Sequence, residues 1–228
     1  MQSISPTAVI GRAFEIYKQQ AGALIAAALV VFVIDAVARL LFDDGALVLI
    51  ASAVGLVVHT FYQGVVVRLV ADVRDGRRDS SVGELLSSVS PVVVPLIIAS
   101  LVIGILVAIG LLLVIVPGLF LMTIWAVAAP VIVVERAGAF DALARSRELV
   151  SGNGWNVFGL IVILFLLLVV VIAVLTTIGA LAGSLLAALL ALVGSILIAP
   201  VTALSASVLY FNLRQVKGEA EAGALAVV

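Results

Sequence analysis

Two long stretches without any charged residue limit most strongly what this chain can fold into. They run from residue 85 to 134 and from residue 149 to 213. A helix needs about 20 apolar residues to cross the hydrocarbon core of a bilayer, so each stretch is too long for one span and suits two. Because proline and glycine mark turns, we predict a break at Val116-Pro117-Gly118 in the first stretch and at Gly179-Ala180-Leu181-Ala182-Gly183 in the second.

Two further apolar runs precede these stretches, from Ala21 to Phe42 and from about 46 to 70. The first is longer than the apolar region of a cleavable signal peptide, so we interpret it as span 1. Spans 3 and 4 are predicted at about 92–115 and 118–135. The chain is 65% hydrophobic and only 11% charged, whereas an ordinary soluble domain is about a quarter charged. The predicted fold class is all-α, a polytopic membrane protein with six transmembrane helices in three hairpins.

A short amphipathic segment precedes each pair of spans. The three segments cover Pro6 to Gln20, about 82 to 90, and Phe140 to Val150, and each places apolar residues at helical spacing opposite polar ones. Helices of this kind lie in the plane of the membrane interface. An ordinary surface helix is the alternative for the first segment, but the span that follows it directly favours the interfacial interpretation.

The order of amphipathic helix, span and span occurs three times within a single membrane domain, at about 5–76, 80–138 and 139–218, which predicts an internal repeat. Of the 12 Lys and Arg residues, all but Arg39 fall before span 1, near the connections between spans 2 and 3 and between spans 4 and 5, or after span 6. With six spans these positions lie on one side of the membrane. Cytoplasmic segments carry such an excess of basic residues, so both termini are predicted to be cytoplasmic.

A recognisable set of residues lies within 117–158 and 208–214. It comprises Pro117-Gly118, Pro130, Glu135, Ala142-Leu143, Arg145-Ser146, Leu149-Val150, Gly152, Trp155 and Leu209-Tyr210-Phe211-Asn212-Leu213-Arg214. This set resembles a prokaryotic six-helix membrane family that also occurs as the membrane domain of some glycerophosphodiester phosphodiesterases. The family pattern often has an aromatic residue after the Arg-Ser pair, where this chain has Arg147.

The resemblance implies six spans over the whole chain and a location in the prokaryotic plasma membrane. It does not imply an enzyme, because the chemistry of the fused phosphodiesterases belongs to a separate barrel of about 250 residues. A chain of 228 residues has no room for such a barrel beside its six spans.

Asp35 and Arg39 stand four residues apart within span 1. Ionisable groups inside a span are costly and usually face the bundle interior, which is typical of an ion or proton site. Since Arg39 is close to the end of the span, the favoured interpretation is a mutually neutralising pair near the interface.

His59, the single histidine, lies near the middle of span 2 on one helical face with Ser52, Gly55 and Gln63. A proton relay is one interpretation, and a hydrogen bond between helices is the favoured one. Asp35 is expected nearer the outer membrane surface, too far away to pair with His59. We therefore predict a dry site between spans for His59, without a polar path to either surface, and no metal site.

Span 6 carries a small residue at every fourth position, a spacing that allows close approach between helices. The four-residue spacing overshoots a helical turn, so the row is expected to meet more than one neighbouring helix. Its members are Gly183, Ala187, Ala191, Ser195, Ala199, Ala203 and Ser207.

A charged collar is predicted at the cytoplasmic connection between spans 4 and 5. Its members are Glu135, Arg145, Ser146 and Arg147, which are expected to lock the third amphipathic helix to the ends of the spans. Arg147 falls inside the apolar arc of that helix and is expected to snorkel or to pair with an acid.

The sequence offers no set of residues for catalysis. It has no cysteine, no nucleophile–base–acid pattern and no basic stripe combined with stacking aromatics. We therefore predict no enzyme, no cofactor and no nucleic-acid partner. The favoured hypothesis is a non-catalytic scaffold or accessory subunit that organises lipid, a membrane-protein partner or a second copy of itself. The alternative, motivated by Asp35, His59, Gln63 and Pro200 in span 6, is a small transporter or permease subunit for an unidentified solute or lipid.

Overall fold

The computed structural model describes residues 5–42, 44, 45, 47–74, 82–182 and 184–219. At helical positions 82, 85, 86, 180–182, 184–186, 188 and 191 the description covers the backbone alone. Within the described residues the regular structure is helical. The helices are α1 (Pro6–Gln19), α2 (Ala21–Leu41), α3 (Leu47–Arg74), α4 (Val82–Val89), α5 (Val93–Leu113), α6 (Ile115–Ile124), α7 (Ala128–Glu135), α8 (Ala139–Val150), α9 (Gly154–Ala182) and α10 (Ser184–Val216).

Six segments of the described chain are long and apolar enough to cross a membrane, as the uncharged runs predict. They are Ala21–Leu41, Leu47–Arg74, Ser87–Leu113, Ile115–Glu135, Gly154–Gly179 and Leu192–Val216. The architecture is therefore that of a multi-pass membrane protein. Successive long helices pack on each other, α2 on α3, α5 on α6 and α9 on α10.

The break between spans 3 and 4 lies slightly earlier than predicted. Val114 is the residue that leaves the helix, with an extended backbone, and Pro117-Gly118 belongs to the start of α6. Proline is tolerated in the first turn of a helix, where its missing N–H is not needed. Gly118 lies against Gly110. A Cβ added to Gly110 would lie 2.9 Å from the Gly118 Cα, so the absence of side chains at both positions allows α5 and α6 to cross closely.

The fourth span is interrupted, which the sequence did not predict. Trp125, Ala126 and Val127 form a turn between α6 and α7. The second short helix ends at Val89, close to the predicted boundary. The chain passes through a 3₁₀ turn, Ser90–Val92, directly into α5. The predicted division between spans 5 and 6 holds, with Gly183 outside the described residues.

The core of the bundle is built around α10, which packs against α1, α2, α3 and α9. Half of its span segment is buried, whereas only 17% of the α5 segment and 11% of the α9 segment are. Leu204, Leu209 and Leu213 are among its fully buried side chains. The outward-facing side chains of α5 and α9 are large and apolar, as expected of helices that face lipid.

The short helices α1 and α8 bury one apolar face each. In α1 this face contains Val9, Ala13 and Ile16, and the helix packs on α10. In α8 it contains Ala142, Leu143, Ser146, Leu149 and Val150. The helical spacing of Phe140, Leu143 and Val150 predicts one shared apolar face, but Phe140 is 70% exposed and lies outside it. The order of short helix, span and span recurs three times along the described chain, while the repeat units themselves stay a prediction.

Candidate functional site

Three ionisable side chains meet between α2 and α3. The Asp35 Oδ2 atom lies 2.9 Å from Arg39 Nε and 3.8 Å from His59 Nε2. Asp35 is 8% exposed, while the Arg39 side chain is 62% exposed and reaches outward. The structure therefore contains the predicted Asp35–Arg39 pair and adds His59 to it.

The expectation that Asp35 lies too far outward to face His59 is wrong. Asp35 stands opposite Gly55, since a Cβ on Gly55 would lie 2.5 Å from Asp35 Oδ1. His59 is one helical turn further along α3, about 6 Å along the axis. Side chains of a helix tilt toward its N-terminus, and α2 and α3 run in opposite directions. The two side chains therefore lean toward each other and close this separation.

The two carboxylate oxygens of Asp35 have different environments. Oδ1 is buried and accepts no hydrogen bond from the described residues. The residue of α3 that faces this oxygen is Gly55, which has no side chain to contact it. Burial of an unpaired carboxylate oxygen is costly, so this carboxylate is held in place by its contacts to Arg39 and His59 on the other oxygen.

A lateral groove of about 760 Å³ lies beside His59, between the α2–α3 pair and the α9–α10 pair. Its walls are mainly aliphatic, and its lining includes Phe32, Leu168, Ile172, Leu175, Gly194, Ile198 and Ala199. The hydroxyls of Thr176 and Thr202 also line it, but each donates a hydrogen bond to a carbonyl of its own helix. His59 thus supplies an imidazole to a mainly aliphatic groove.

The prediction that His59 is buried between spans with a hydrogen bond to another helix is wrong, while the absence of a polar path to either surface stays a prediction. Its side chain is 41% exposed and forms part of the groove wall, where its ring contacts the Phe32 ring edge-on at 4.8 Å. Its neighbour on the other helix is Asp35, at an ion-pair distance rather than a hydrogen-bond distance. Gln63 is half-buried on α3 and is not among the residues that line the groove.

The small residues of α10 divide between two environments. Ala203 and Ser207 are buried, and Ser207 donates a hydrogen bond to the Ala203 carbonyl. Ala187, Ser195 and Ala199 line the lateral groove. Ala187 also approaches Gly179 of α9, whose added Cβ would lie 2.9 Å from the Ala187 Cβ. Gly183 and the side chain of Ala191 lie outside the description.

A second polar cluster joins α7, α8 and α10 where α7 and α10 end. Arg145 lies 3.4 Å from Glu135 and 2.8 Å from Glu148, and it also forms an ion pair with Glu219. Burial alone would lower the pKa of Arg145, but its hydrogen bonds to Glu148 and Glu219 and the charge of Glu135 raise that pKa above its ordinary value. Arg145 therefore remains a cation that holds three carboxylates together.

Tyr210 extends this cluster into the bundle. Its hydroxyl donates a hydrogen bond of 2.8 Å to Glu135 and accepts one of 3.4 Å from Arg214. Arg214 in turn lies 3.6 Å from Glu219, which closes a ring of contacts. The collar prediction included Glu135 and Arg145 but missed Tyr210, Arg214 and Glu219. Tyr210 is 75 residues from Glu135 in sequence, so no local spacing could have indicated the contact.

The other two predicted collar residues have different environments. Ser146 is fully buried and faces the turn that interrupts span 4, where its hydroxyl contacts Ile124 and Val127. Arg147 is exposed on α8 and forms no ion pair within the described part of the chain, so it lies outside the charged cluster. It borders a shallow surface pocket together with Glu148 and Lys217.

The described residues contain no group of three or more His, Asp or Glu side chains placed to hold a metal ion. Comparison of the chain with protein-family profiles, with curated proteins and with solved structures finds no match. The resemblance to the six-helix membrane family therefore stays a prediction.

Proposed function

We propose that this protein is a non-catalytic integral membrane protein that organises lipid, with the lateral groove as the seat of a lipid chain. The observation that carries this proposal is the groove itself, about 760 Å³ in volume and mainly aliphatic. Ligand pockets commonly have volumes of about 300–1,000 Å³. A solute that needs several hydrogen bonds would find few unused donors there, whereas an acyl or isoprenoid chain fits its chemistry.

The proposed setting is a prokaryotic plasma membrane with both termini in the cytoplasm. The three pairs of spans form hairpins, and α1, α4 and α8 lie at the cytoplasmic interface. The ends of α3, α7 and α10 support this arrangement, because Arg74 contacts Phe211 and Arg145 contacts Glu135 and Glu219 at one end of the bundle. Cytoplasmic ends of spans are rich in such cations.

The charged cluster supports a scaffold role rather than catalysis. Its members pair with one another, and Arg145 holds Glu135, Glu148 and Glu219 at once. Such mutual pairing fixes α8 against α7 and α10 and leaves a rigid face at this end of the bundle. The proposed role is to present a lipid, a membrane-protein partner or a second copy of the chain in a fixed arrangement.

Native mass spectrometry of protein extracted in a mild detergent tests the proposal. Ser195 is exposed and lines the groove, so Ser195→Trp should fill the groove and remove co-purifying lipid. Leu197 is 46% exposed on the same helix and does not line the groove, so Leu197→Trp is the matched control. Equal lipid occupancy in both variants would refute a lipid seat in this groove.

The second candidate is a small transporter subunit, which the Asp35–His59 contact beside the groove favours. A proton-coupled transporter needs His59 to exchange protons with water. Proteoliposomes containing a pH-sensitive dye distinguish the two roles. The lipid-organising role predicts the same proton leak for wild type and His59→Gln, whereas a leak that depends on His59 would place the transporter role first.

A further inference from the structure

A polar pocket of about 370 Å³ lies where α1, α3 and α10 meet, separate from the lateral groove. Arg12 contributes from α1, Arg74 from the end of α3, and Asn212 and Gln215 from the end of α10. Its floor is apolar and includes Val70 and Val208, which are 1% and 5% exposed. The described residues that line it include two cations and two amides but no carboxylate.

The cations of this pocket are suited to an anion. The Arg74 guanidinium lies over the Phe211 ring, 4.3 Å from its centroid, and this cation–π contact holds it beside the pocket. Arg74 has a further interaction besides this one, but a guanidinium offers five N–H donors, and two of them form a fork that matches two phosphate oxygens. Arg12 also binds Glu15, but that hydrogen bond engages only the Nη1 group and both side chains are more than half exposed, so the pair is weak.

The position of the pocket matches the depth of lipid headgroups. Arg74 is the last residue of a segment that can cross a membrane, and Gln215 is one residue from the end of another. Arg12 lies on α1, whose apolar face packs against α10. A ring of cations and amides around an apolar floor at the ends of two spans offers hydrogen bonds to a phosphate and contact to the first carbons of its ester.

We propose that this pocket binds a phosphate group, with Arg12 and Arg74 as the cationic ligands and the amides of Asn212 and Gln215 as additional donors. A phosphodiester of an anionic phospholipid and free inorganic phosphate both carry this chemistry. The site goes beyond the proposed lipid seat, since it shares no lining residue with the lateral groove. The pocket binds a phosphate headgroup, whereas the lateral groove holds a lipid chain.

Binding is measured by titrating the purified protein in detergent with phosphatidylglycerol, with phosphatidylcholine and with inorganic phosphate, using native mass spectrometry. Phosphatidylglycerol should bind more tightly than phosphatidylcholine, and Arg12→Gln and Arg74→Gln should each weaken that binding about tenfold, as expected for loss of a charge-assisted hydrogen bond. Arg74→Lys should weaken it less, because the charge remains while the fork is lost. Arg147→Gln removes the same charge at an exposed position outside the pocket and is the matched control.

The variants and ligands distinguish a lipid phosphate, a soluble phosphate and general attraction to anions. Dependence of phosphatidylglycerol binding on Arg12 and Arg74 identifies a lipid phosphate as the ligand, and the same dependence for inorganic phosphate alone identifies the soluble anion. An equal loss in Arg147→Gln would show general attraction to anions and would overturn the site, as would unchanged binding in Arg12→Gln. Arg12 is exposed, so Arg12→Gln should keep the wild-type melting temperature and remain informative if Arg74→Gln unfolds.

Discussion

The buried hydroxyl of Ser146 donates a hydrogen bond of 2.9 Å to the carbonyl of Ile124, the last residue of α6. The same oxygen accepts a hydrogen bond of 3.3 Å from the backbone N–H of Val127, at the other side of the turn. An interrupted span leaves backbone groups without their helical partners, and water cannot replace those partners inside an apolar bundle. The Ser146 side chain of α8 therefore supplies hydrogen bonds to two backbone groups at the break in span 4 and connects α8 to that span.

Replacement of Ser146 by alanine should destabilise the protein. The change leaves a carbonyl and an N–H unpaired in the bundle, at a cost of about 1–3 kcal/mol in the free energy of unfolding. Ser87→Ala is the control. The Ser87 hydroxyl also donates to a backbone carbonyl, that of Glu84, but this bond lies within one helix and at an exposed position. Thermal unfolding in detergent measures both variants.

Surface substitutions usually change stability by less than about 0.5 kcal/mol, so Ser87→Ala should melt like wild type. If Ser146→Ala melted at the wild-type temperature as well, the turn at Trp125–Val127 would not depend on α8.

Removal of the hydroxyl should change the stability of the protein differently at two buried tyrosines. Tyr210 donates a hydrogen bond to the Glu135 carboxylate, and Tyr210→Phe should lower the free energy of unfolding by about 1.5–3 kcal/mol, since a hydrogen bond to a charged group is lost. Tyr62 is buried with a hydroxyl that has no hydrogen-bond partner within the described structure, so Tyr62→Phe should leave stability unchanged or raise it.

Chemical denaturation of both variants under identical conditions provides the comparison. A Tyr62→Phe variant that lost as much stability as Tyr210→Phe would mean that both effects come from packing of the ring rather than from the hydroxyl.

The sequence predicted the spans because their signal is long and redundant. A run of more than 20 apolar residues identifies a crossing whatever its exact composition, and all six candidate spans were found. The interruption at Trp125–Val127 keeps the same apolar composition, so hydropathy could not reveal it. Its partner Ser146 was assigned to the collar as a polar residue on α8, whereas its role depends on contact with a segment 22 positions earlier.

The polar contacts were predicted best where the residues are close in sequence. Asp35 and Arg39 are one helical turn apart, and the pair forms. The contact of Asp35 with His59 is not evident from the sequence, because side chains tilt toward the N-terminus of their helix and so reach beyond the depth of their own backbone. Glu135 and Arg145 were expected together and lie 3.4 Å apart, while Arg147 is exposed and lies outside that cluster.

The orientation in the membrane can be tested with single cysteines, since the chain has none of its own. Asp44 and Lys217 are exposed at opposite ends of the bundle, so Asp44→Cys and Lys217→Cys should fold normally. An impermeant maleimide should label Asp44→Cys in intact cells and Lys217→Cys only after lysis, because the basic segments are expected in the cytoplasm. Labelling of Lys217→Cys in intact cells would contradict this orientation.

Gly55 is required by the carboxylate that faces it. A Cβ at this position would lie 2.5 Å from Asp35 Oδ1, and Asp35 cannot turn away without losing its 2.9 Å contact to Arg39. We expect Gly55→Ala to cost about 1–3 kcal/mol, as overpacking usually does. Gly104→Ala is the control, because no atom lies within 4 Å of its added Cβ, and it should gain about 0.5–1 kcal/mol from reduced backbone freedom.

A double-mutant cycle shows whether the carboxylate is the cause. In an Asp35→Ala background the oxygen that meets the new methyl group is absent, so Gly55→Ala should lose most of its cost there. The free energies of unfolding of the two single variants and the double variant supply the coupling. A cost of Gly55→Ala that was the same in both backgrounds would mean that another neighbour opposes the methyl group and that Asp35 is free to move within the pair.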